Sequence, residues 1–102
     1  MARILKEYPQ VIVRPEDING QMDWHAVFGR GGPVHFEIGS GKGTFLVNEA
    51  KAWPDANFFG VEWCSKVYRY AVDRIGRWKL PNVKLIRDDA ANLIKEHVPD
   101  ES

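Results

Sequence analysis

Three acidic residues recur at the spacing of one strand–helix unit around a glycine-rich segment. Glu37, Glu62 and Asp89 are 25 and 27 residues apart, and Gly39 to Gly43 lie directly after the first of them. Carboxylates accept hydrogen bonds from ribose hydroxyls and from an adenine amine, and they pair with cations. The recurrence therefore predicts a nucleoside-binding crevice. The alternative for each acid is that it caps the following helix or faces solvent.

The glycine-rich segment distinguishes three classes of ligand. A P-loop requires G-x-x-x-x-G-K-[ST], but Gly41 and Lys42 are followed by Gly43, and Phe36 occupies the position of the first glycine. The dinucleotide fingerprint G-x-G-x-x-G is weakened by Thr44 at its third glycine position, although it stays open. S-adenosylmethionine carries a cationic sulfonium and an ammonium and has no phosphate. Nearby carboxylates therefore suit this cofactor better than a phosphate-binding loop does.

An alternation of predicted strands and helices positions these residues. The predicted strands are Val34–Ile38, Asn57–Glu62 and Asn82–Arg87, and the predicted helices are Thr44–Ala52, Ser65–Trp78 with Ser65 as its cap, and Ala90–His97. This alternation indicates right-handed crossovers and a parallel α/β sheet in the order 3-2-1. Such a sheet is the first half of a Rossmann-like, doubly wound domain, and its strand ends line one crevice.

Residues 1–33 are interpreted as a leader that precedes the alternating region of residues 34–102. Prolines and glycines divide the leader into short pieces. Gln10 to Arg14 is a candidate strand, and Asp23 is predicted to cap a short helix over Trp24–Phe28.

The second predicted helix has one basic face. At about 100° per residue, Lys66, Arg69, Arg74 and Arg77 fall on one side. The opposite side is predicted to pack on the sheet and consists of Val67, Tyr68, Ala71, Val72, Ile75 and Trp78. The segment Lys66 to Lys84 carries a local charge of +5. Two interpretations remain open, which are a solvated helix face and a surface for RNA phosphates.

Composition narrows the class of protein. Lys plus Arg number 14 and Asp plus Glu number 14, so the formal net charge of zero argues against binding nucleic acid over the whole surface. A single cysteine, Cys64, excludes an internal disulfide framework and is predicted to be buried or half-buried. The cysteine and the three histidines lack metal-ligand spacing, so no metal site is predicted. Apolar runs are far shorter than a membrane span. We expect a cytoplasmic protein that does not bind membranes.

The segments that surround these acids resemble one family. Phe36 to Gly43, Phe59 to Glu62 and Asn82 to Ala90 are similar to the bacterial tRNA (guanine-N7)-methyltransferases. Arg14 to Asp17 and Met22 to Trp24 resemble the leader of that family, and the closing Val98 to Ser102 also matches. The glycine motif alone indicates only a class I methyltransferase.

The resemblance implies a cofactor, a substrate and roles for individual residues. The implied cofactor is S-adenosylmethionine, with Glu37 near its methionine end, Glu62 on the ribose, and Asp89 and Ala90 at the adenine. The residues themselves add that Gly39 and Gly41 would line the cofactor, and that Trp63, directly after Glu62, either packs in the protein or lies against the adenine. The implied reaction transfers a methyl group to N7 of a guanine in the variable loop of tRNA.

The resemblance also implies a longer protein. The family continues past the position of Ser102 into a fourth strand and a Pro-Asp-Pro-Trp type segment, which supplies the acid assigned to catalysis. No catalytic residue is therefore assigned here, and we expect little or no methyl transfer to tRNA by these 102 residues alone. The strand Val34–Ile38 is expected to expose an edge through which chains associate. The alternatives are a fragment of another class I methyltransferase and a non-enzymatic nucleotide-binding module.

Overall fold

Four strands and three helices form the described part of the chain. The computed structural model describes residues 4–18, 20–39, 41–89 and 93. The strands are β1 (Ile12–Val13), β2 (Val34–Ile38), β3 (Asn57–Val61) and β4 (Val83–Ile86). The helices are α1 (Trp24–Phe28), α2 (Thr44–Ala52) and α3 (Ser65–Trp78), with a 3-10 turn over Pro15–Asp17. In the described ranges no helix has the length and apolar character needed to cross a membrane.

All four strands are parallel and lie in the order β1-β4-β3-β2. The three predicted strands therefore have the predicted 3-2-1 order, and the α/β Rossmann-like fold is confirmed. The difference is that β1 joins the sheet outside β4, which is the last strand on that side in the predicted order. Ile12 is in register with Leu85, whose N–H donates to the Val11 carbonyl at 2.8 Å. The candidate strand in the leader thus covers the backbone of β4.

The helix caps agree with the sequence at one position and differ at another. Asp23 caps α1, because its side chain accepts a hydrogen bond from the N–H of Ala26 at 3.2 Å. The prediction for α3 was wrong by one residue, since Cys64 occupies the N-cap position and Ser65 is the first helical residue. Cys64 is exposed, so the prediction that it is buried or half-buried was wrong, because it lies beyond the end of β3. The predicted helix Ala90–His97 lies outside the described residues except for Leu93, which is buried.

A hydrophobic core lies on each face of the sheet. One core joins α2 and α3 to the sheet through residues such as Leu46, Phe58 and Ile75. The other lies on the α1 side, where the Trp24 ring meets the Phe59 ring edge-to-face with centroids 5.0 Å apart. The sheet is thus covered on both faces, which is the layered arrangement of α/β domains.

The segment before β1 packs along α3. The Tyr8 ring occupies the space that a side chain at position 76 would need, and Gly76 leaves that space open. Asp73 is buried, and its carboxylate accepts hydrogen bonds from the N–H of Lys6 at 3.2 Å and from Nε of Arg77 at 2.9 Å. These contacts fix the leader on the helix that follows the crevice.

Candidate functional site

The glycine turn leaves its backbone open at the carboxyl end of β2. Gly39, Gly41 and Gly43 have φ angles of 72°, 58° and 83°, which residues with a side chain rarely adopt. A Cβ on Gly39 or Gly41 would have no described atom within 4 Å beyond its chain neighbours, so a ligand can approach this backbone closely. Gly43 is buried against Ala71 of α3 and occupies the N-cap position of α2. The first two glycines provide access, while the third provides packing.

Glu62 follows β3 and connects two backbone segments that border the crevice. Its Oε1 accepts a hydrogen bond from the N–H of Gly41, and its Oε2 accepts one from the N–H of Cys64, each at 3.0 Å. The first bond holds the glycine turn and the second holds the N-cap of α3. Each carboxylate oxygen has a second lone pair, so two acceptor positions stay available for a ligand.

Trp63 lies beside Glu62 and carries a cation on one face. The Arg87 guanidinium lies 5.1 Å from the centroid of the indole ring, and Arg87 Nε donates to the Trp63 carbonyl at 3.0 Å. Trp63 is still 63% exposed. Arg87 thereby holds an exposed aromatic surface in place, an arrangement suited to stacking against a planar base. The sequence analysis did not single out Arg87, although its position at the end of β4 was a usable signal.

The acids after β4 are only partly described. The N–H of Asp89 donates to Oδ1 of Asp88 at 2.8 Å, and the carbonyl of Asp89 accepts from the N–H of Leu93 at 2.9 Å. Asp89 is exposed at the same sheet edge as Glu62. Ala90, the other residue predicted to contact adenine, lies outside the described residues.

Glu37 lies on the α2 face of the sheet. It is half-buried and lines a cavity of about 700 Å³ together with Glu49 of α2 and the aromatic rings of Phe45, Trp53 and Phe58. Burial raises the pKa of Glu37 above its ordinary value, and the charge of Glu49 raises it further. Glu37 therefore borders this cavity, the groove between β2 and α2, whereas Glu62 borders the glycine turn. The sequence analysis missed Glu49, because its position depends on how α2 crosses β2.

The basic residues of α3 differ in how free they are. Lys66 and Arg69 are exposed and Arg74 is half-buried, while Arg77 donates from Nε to the buried Asp73. The opposite helix face is buried at Ala71, Val72 and Ile75 as predicted. Trp78 is the exception, because it is 49% exposed and its ring faces Lys51, with Nζ 4.0 Å from the centroid.

A parallel α/β sheet with a glycine turn after β2 and an acid after β3 is characteristic of a Rossmann-like fold. Residues 31–102 match a family described as "Putative methyltransferase", and the chain belongs to that family. Methyltransferases of this type use S-adenosylmethionine as the methyl donor.

The chain is similar to proteins named tRNA (guanine-N(7)-)-methyltransferase. It is 44% identical over 90 residues to the protein of that name from Listeria monocytogenes, covering 87% of this chain and 41% of the relative. It is 45% identical over 83 residues to the one from Streptococcus pyogenes, covering 81% of this chain and 38% of the relative. The chain thus spans about two fifths of the length of the curated relatives it matches.

Proposed function

We propose that this chain is the cofactor-binding part of a tRNA (guanine-N7)-methyltransferase, with residues 34–102 as the binding unit and residues 1–33 as its leader. The observation that carries the proposal is the bridge from Glu62 to the glycine turn, with Oε1 on the N–H of Gly41 at 3.0 Å. This hydrogen bond places the Glu62 carboxylate beside the accessible backbone of the glycine turn. A ribose bound there could donate to the carboxylate while the rest of the ligand contacts the main chain. The 44% and 45% identity to proteins named tRNA (guanine-N(7)-)-methyltransferase supports this reaction.

The residues present suit S-adenosylmethionine. The free lone pairs of Glu62 are available for the ribose hydroxyls, and the indole of Trp63 offers a stacking surface for the adenine. Gly39 and Gly41 admit the cofactor to the turn, and Glu37 supplies negative charge toward the ammonium at the methionine end. Asp89 and Ala90 are assigned to the adenine edge.

Methyl transfer to N7 of guanine needs little proton chemistry. When bound, the cofactor supplies a methyl group on a sulfonium, and the N7 lone pair takes this methyl as the sulfur becomes the neutral thioether of S-adenosylhomocysteine. The protein residues therefore position the reacting atoms and exclude water. The acids keep the cationic cofactor oriented, and the basic face of α3 holds the tRNA backbone through Lys66, Arg69, Arg74 and Arg77.

Calorimetry tests the cofactor part of this proposal. We expect the chain to release or absorb heat with S-adenosylhomocysteine and to give no signal with NAD or ATP. Binding of NAD or ATP in place of S-adenosylhomocysteine would contradict the proposal and favour a nucleotide-binding module.

A gel-shift titration with bulk tRNA at two salt concentrations tests the RNA part. Each phosphate contact contributes about 0.7–0.9 to the slope of log affinity against log salt. The Lys66→Ala/Arg69→Ala variant is therefore expected to lower that slope by about 1–2. Arg30→Ala, which removes a cation from the loop before β2, is the control and should keep the slope. Equal slopes for all three proteins would contradict an RNA surface on α3.

A further inference from the structure

Arg87 is the first residue after β4, and its side chain contacts Trp63 at two separate points. Its Nε donates a hydrogen bond to the Trp63 carbonyl at 3.0 Å. Its guanidinium carbon lies over the indole ring, 5.1 Å from the ring centroid. One side chain therefore holds both the backbone and the ring of the same residue.

The backbone contact continues the pairing of β3 with β4 past the ends of these strands. The N–H of Glu62 donates to the Ile86 carbonyl at 3.1 Å, directly after the end of β3. One residue later, the Arg87 side chain supplies the donor for the Trp63 carbonyl. The N–H of Cys64 is bound in turn by Oε2 of Glu62 at 3.0 Å. The backbone is thus fixed on both sides of the Trp63 side chain.

The ring contact orients the indole and leaves most of it accessible. A guanidinium over the face of a tryptophan is attracted by the electrons of the ring, and this attraction favours one orientation of the side chain. Trp63 is nevertheless 63% exposed. An exposed side chain normally loses rotamer freedom when a ligand binds to it, which weakens binding. A ring that is already held in place avoids much of this loss.

We propose that Arg87 is a positioning residue for the adenine of the cofactor and that it acts through Trp63. In the proposed function, on which this role rests, the indole of Trp63 stacks on the adenine beside Glu62. Arg87 holds the indole from one face, and the adenine takes exposed surface that remains. The effect of Arg87 on binding therefore requires the aromatic ring at position 63.

Arginine meets this requirement better than lysine does. The Nε group and the planar guanidinium act at different points, so one arginine bonds the carbonyl and also covers the ring. The ammonium of a lysine is a single compact group at the end of its side chain. It reaches either the carbonyl or the ring, so lysine at position 87 replaces one contact and loses the other.

A double-mutant cycle on the affinity for S-adenosylhomocysteine tests this role. Arg87→Met removes the charge and the donor, and we expect the dissociation constant of the 102-residue chain to rise about three- to tenfold. In a Trp63→Leu background the same change should alter the constant by less than about twofold, because there is no indole to hold. Arg87→Lys should fall between Arg87→Met and the unmodified chain.

Arg30→Met is the matched control for this change. Arg30 also donates to a backbone carbonyl, that of Pro54 at 2.8 Å, but it precedes β2 and lies at the opposite ends of the strands from the crevice. Its affinity for S-adenosylhomocysteine should equal that of the unmodified chain.

S-adenosylmethionine is the second probe, because its sulfonium carries a positive charge that S-adenosylhomocysteine lacks. An arginine that acted on the ligand through its own charge would repel S-adenosylmethionine more strongly, so Arg87→Met would then favour that ligand. Positioning through Trp63 predicts the same fold loss for both ligands.

Acrylamide quenching of tryptophan fluorescence measures the ring contact without a ligand. The difference between the unmodified chain and Trp63→Leu isolates the signal of Trp63 among the four tryptophans. This signal should be quenched more strongly in Arg87→Met, because the guanidinium no longer covers the ring. Circular dichroism establishes that each variant is folded.

The outcomes separate this role from the proposed function. If the unmodified chain bound S-adenosylhomocysteine and Arg87→Met bound it equally well, only the positioning role would be overturned. The same holds for unchanged quenching, for an equal loss with and without Trp63, and for unequal losses with the two ligands. An unmodified chain that bound neither ligand would overturn the proposed function together with the role of Arg87.

Discussion

Glu62 Oε1 accepts a hydrogen bond from the backbone N–H of Gly41 at 3.0 Å, so a residue after β3 fixes a turn that follows β2. The other oxygen, Oε2, binds the N–H of Cys64 at the start of α3. One carboxylate thus sets the distance between the turn and the helix that border the crevice. In the proposed site, Glu62 therefore arranges the backbone around the ligand as well as offering acceptor atoms to it.

Replacing Glu62 by glutamine should weaken both the turn and the ligand site. The amide nitrogen of glutamine cannot accept a hydrogen bond, so one of the two backbone N–H groups loses its partner, at a cost of about 1–3 kcal/mol in the free energy of unfolding. We also expect the dissociation constant for S-adenosylhomocysteine to rise at least about tenfold. Urea unfolding and calorimetry measure the two effects.

Glu16→Gln is the matched control for this change. Glu16 is exposed on the 3-10 turn and lies far from the crevice, so both measurements should stay at the values of the unmodified chain. An unchanged affinity in Glu62→Gln would contradict the role of Glu62 in binding the ribose. An unchanged unfolding free energy would contradict its role in holding the turn.

Gly43→Ala should destabilise the domain because of its backbone conformation. The φ angle of Gly43 is 83°, and a residue with a Cβ pays about 1–2 kcal/mol in this left-handed region. The new methyl group would lie 3.4 Å from Ala71 and from Ile75, which is ordinary contact, so the conformation dominates the loss.

Gly31→Ala makes the same chemical change without this penalty. Gly31 is exposed, its φ is outside the left-handed region, and a Cβ there would have no atom within 4 Å. We expect a change within about 0.5 kcal/mol or a slight stabilisation. Urea midpoints of the two variants provide the comparison, and equal midpoints would show that the turn at Gly43 is not strained by a side chain.

The effect of Gly76→Ala on the free energy of unfolding should change sign when Tyr8 is replaced. In the unmodified chain the new methyl group would overlap the Tyr8 ring, so we expect the ring to be displaced and the chain to lose about 1–3 kcal/mol of stability. With Tyr8→Ala as background the overlap is gone. The alanine should then stabilise α3 by about 1 kcal/mol, as it does in other helix interiors.

The double-mutant cycle of Tyr8→Ala and Gly76→Ala measures this coupling by urea unfolding. Both variants disrupt the same contact between Tyr8 and Gly76, so the double variant loses this contact only once. We therefore expect the double variant to be clearly more stable than the sum of the two single effects predicts. Additive effects would mean that the leader does not pack on α3 at this point.

Hydrophobic periodicity and strand–helix spacing were sufficient to predict β2, β3, β4, α2 and α3, because each is long enough to carry a pattern. The two residues of β1 carry no period, and their place in the sheet follows from pairing with β4. The position of Trp78 was predicted wrongly from its helical angle. It lies in the last turn of α3, where its ring meets Lys51.

The sequence was sufficient to predict which site residues follow each strand, but not which atoms those residues contact. A glycine-rich turn and an acid after β3 are visible in the sequence, since both are local features. That Glu62 would hold the N–H groups of Gly41 and Cys64 depends on the register between β2 and β3. The neighbourhood of Glu37 and Glu49 likewise depends on how a helix lies over a strand.

Glu37→Gln should remove a pH dependence of stability. Burial raises the pKa of Glu37 above its usual 4.5, and the neighbouring Glu49 carboxylate adds to the shift. The folded state therefore binds a proton more tightly than the unfolded state. The stability that this group contributes is complete below pH 4.5 and is lost as the pH rises through the higher folded-state pKa. Glutamine is neutral throughout and escapes this loss.

Urea midpoints of the chain at about pH 4 and at about pH 7 measure the effect, because ordinary carboxyl groups are mostly protonated at the first pH and ionised at the second. We expect Glu37→Gln to be more stable than the unmodified chain at the higher pH and to match it at the lower one. Glu16→Gln changes an exposed carboxyl remote from the groove and should show no such difference between the two conditions. If Glu37→Gln were equally or less stable at neutral pH, the Glu37 carboxylate would have a favourable partner in the folded chain. The groove between β2 and α2 would then not be short of positive charge.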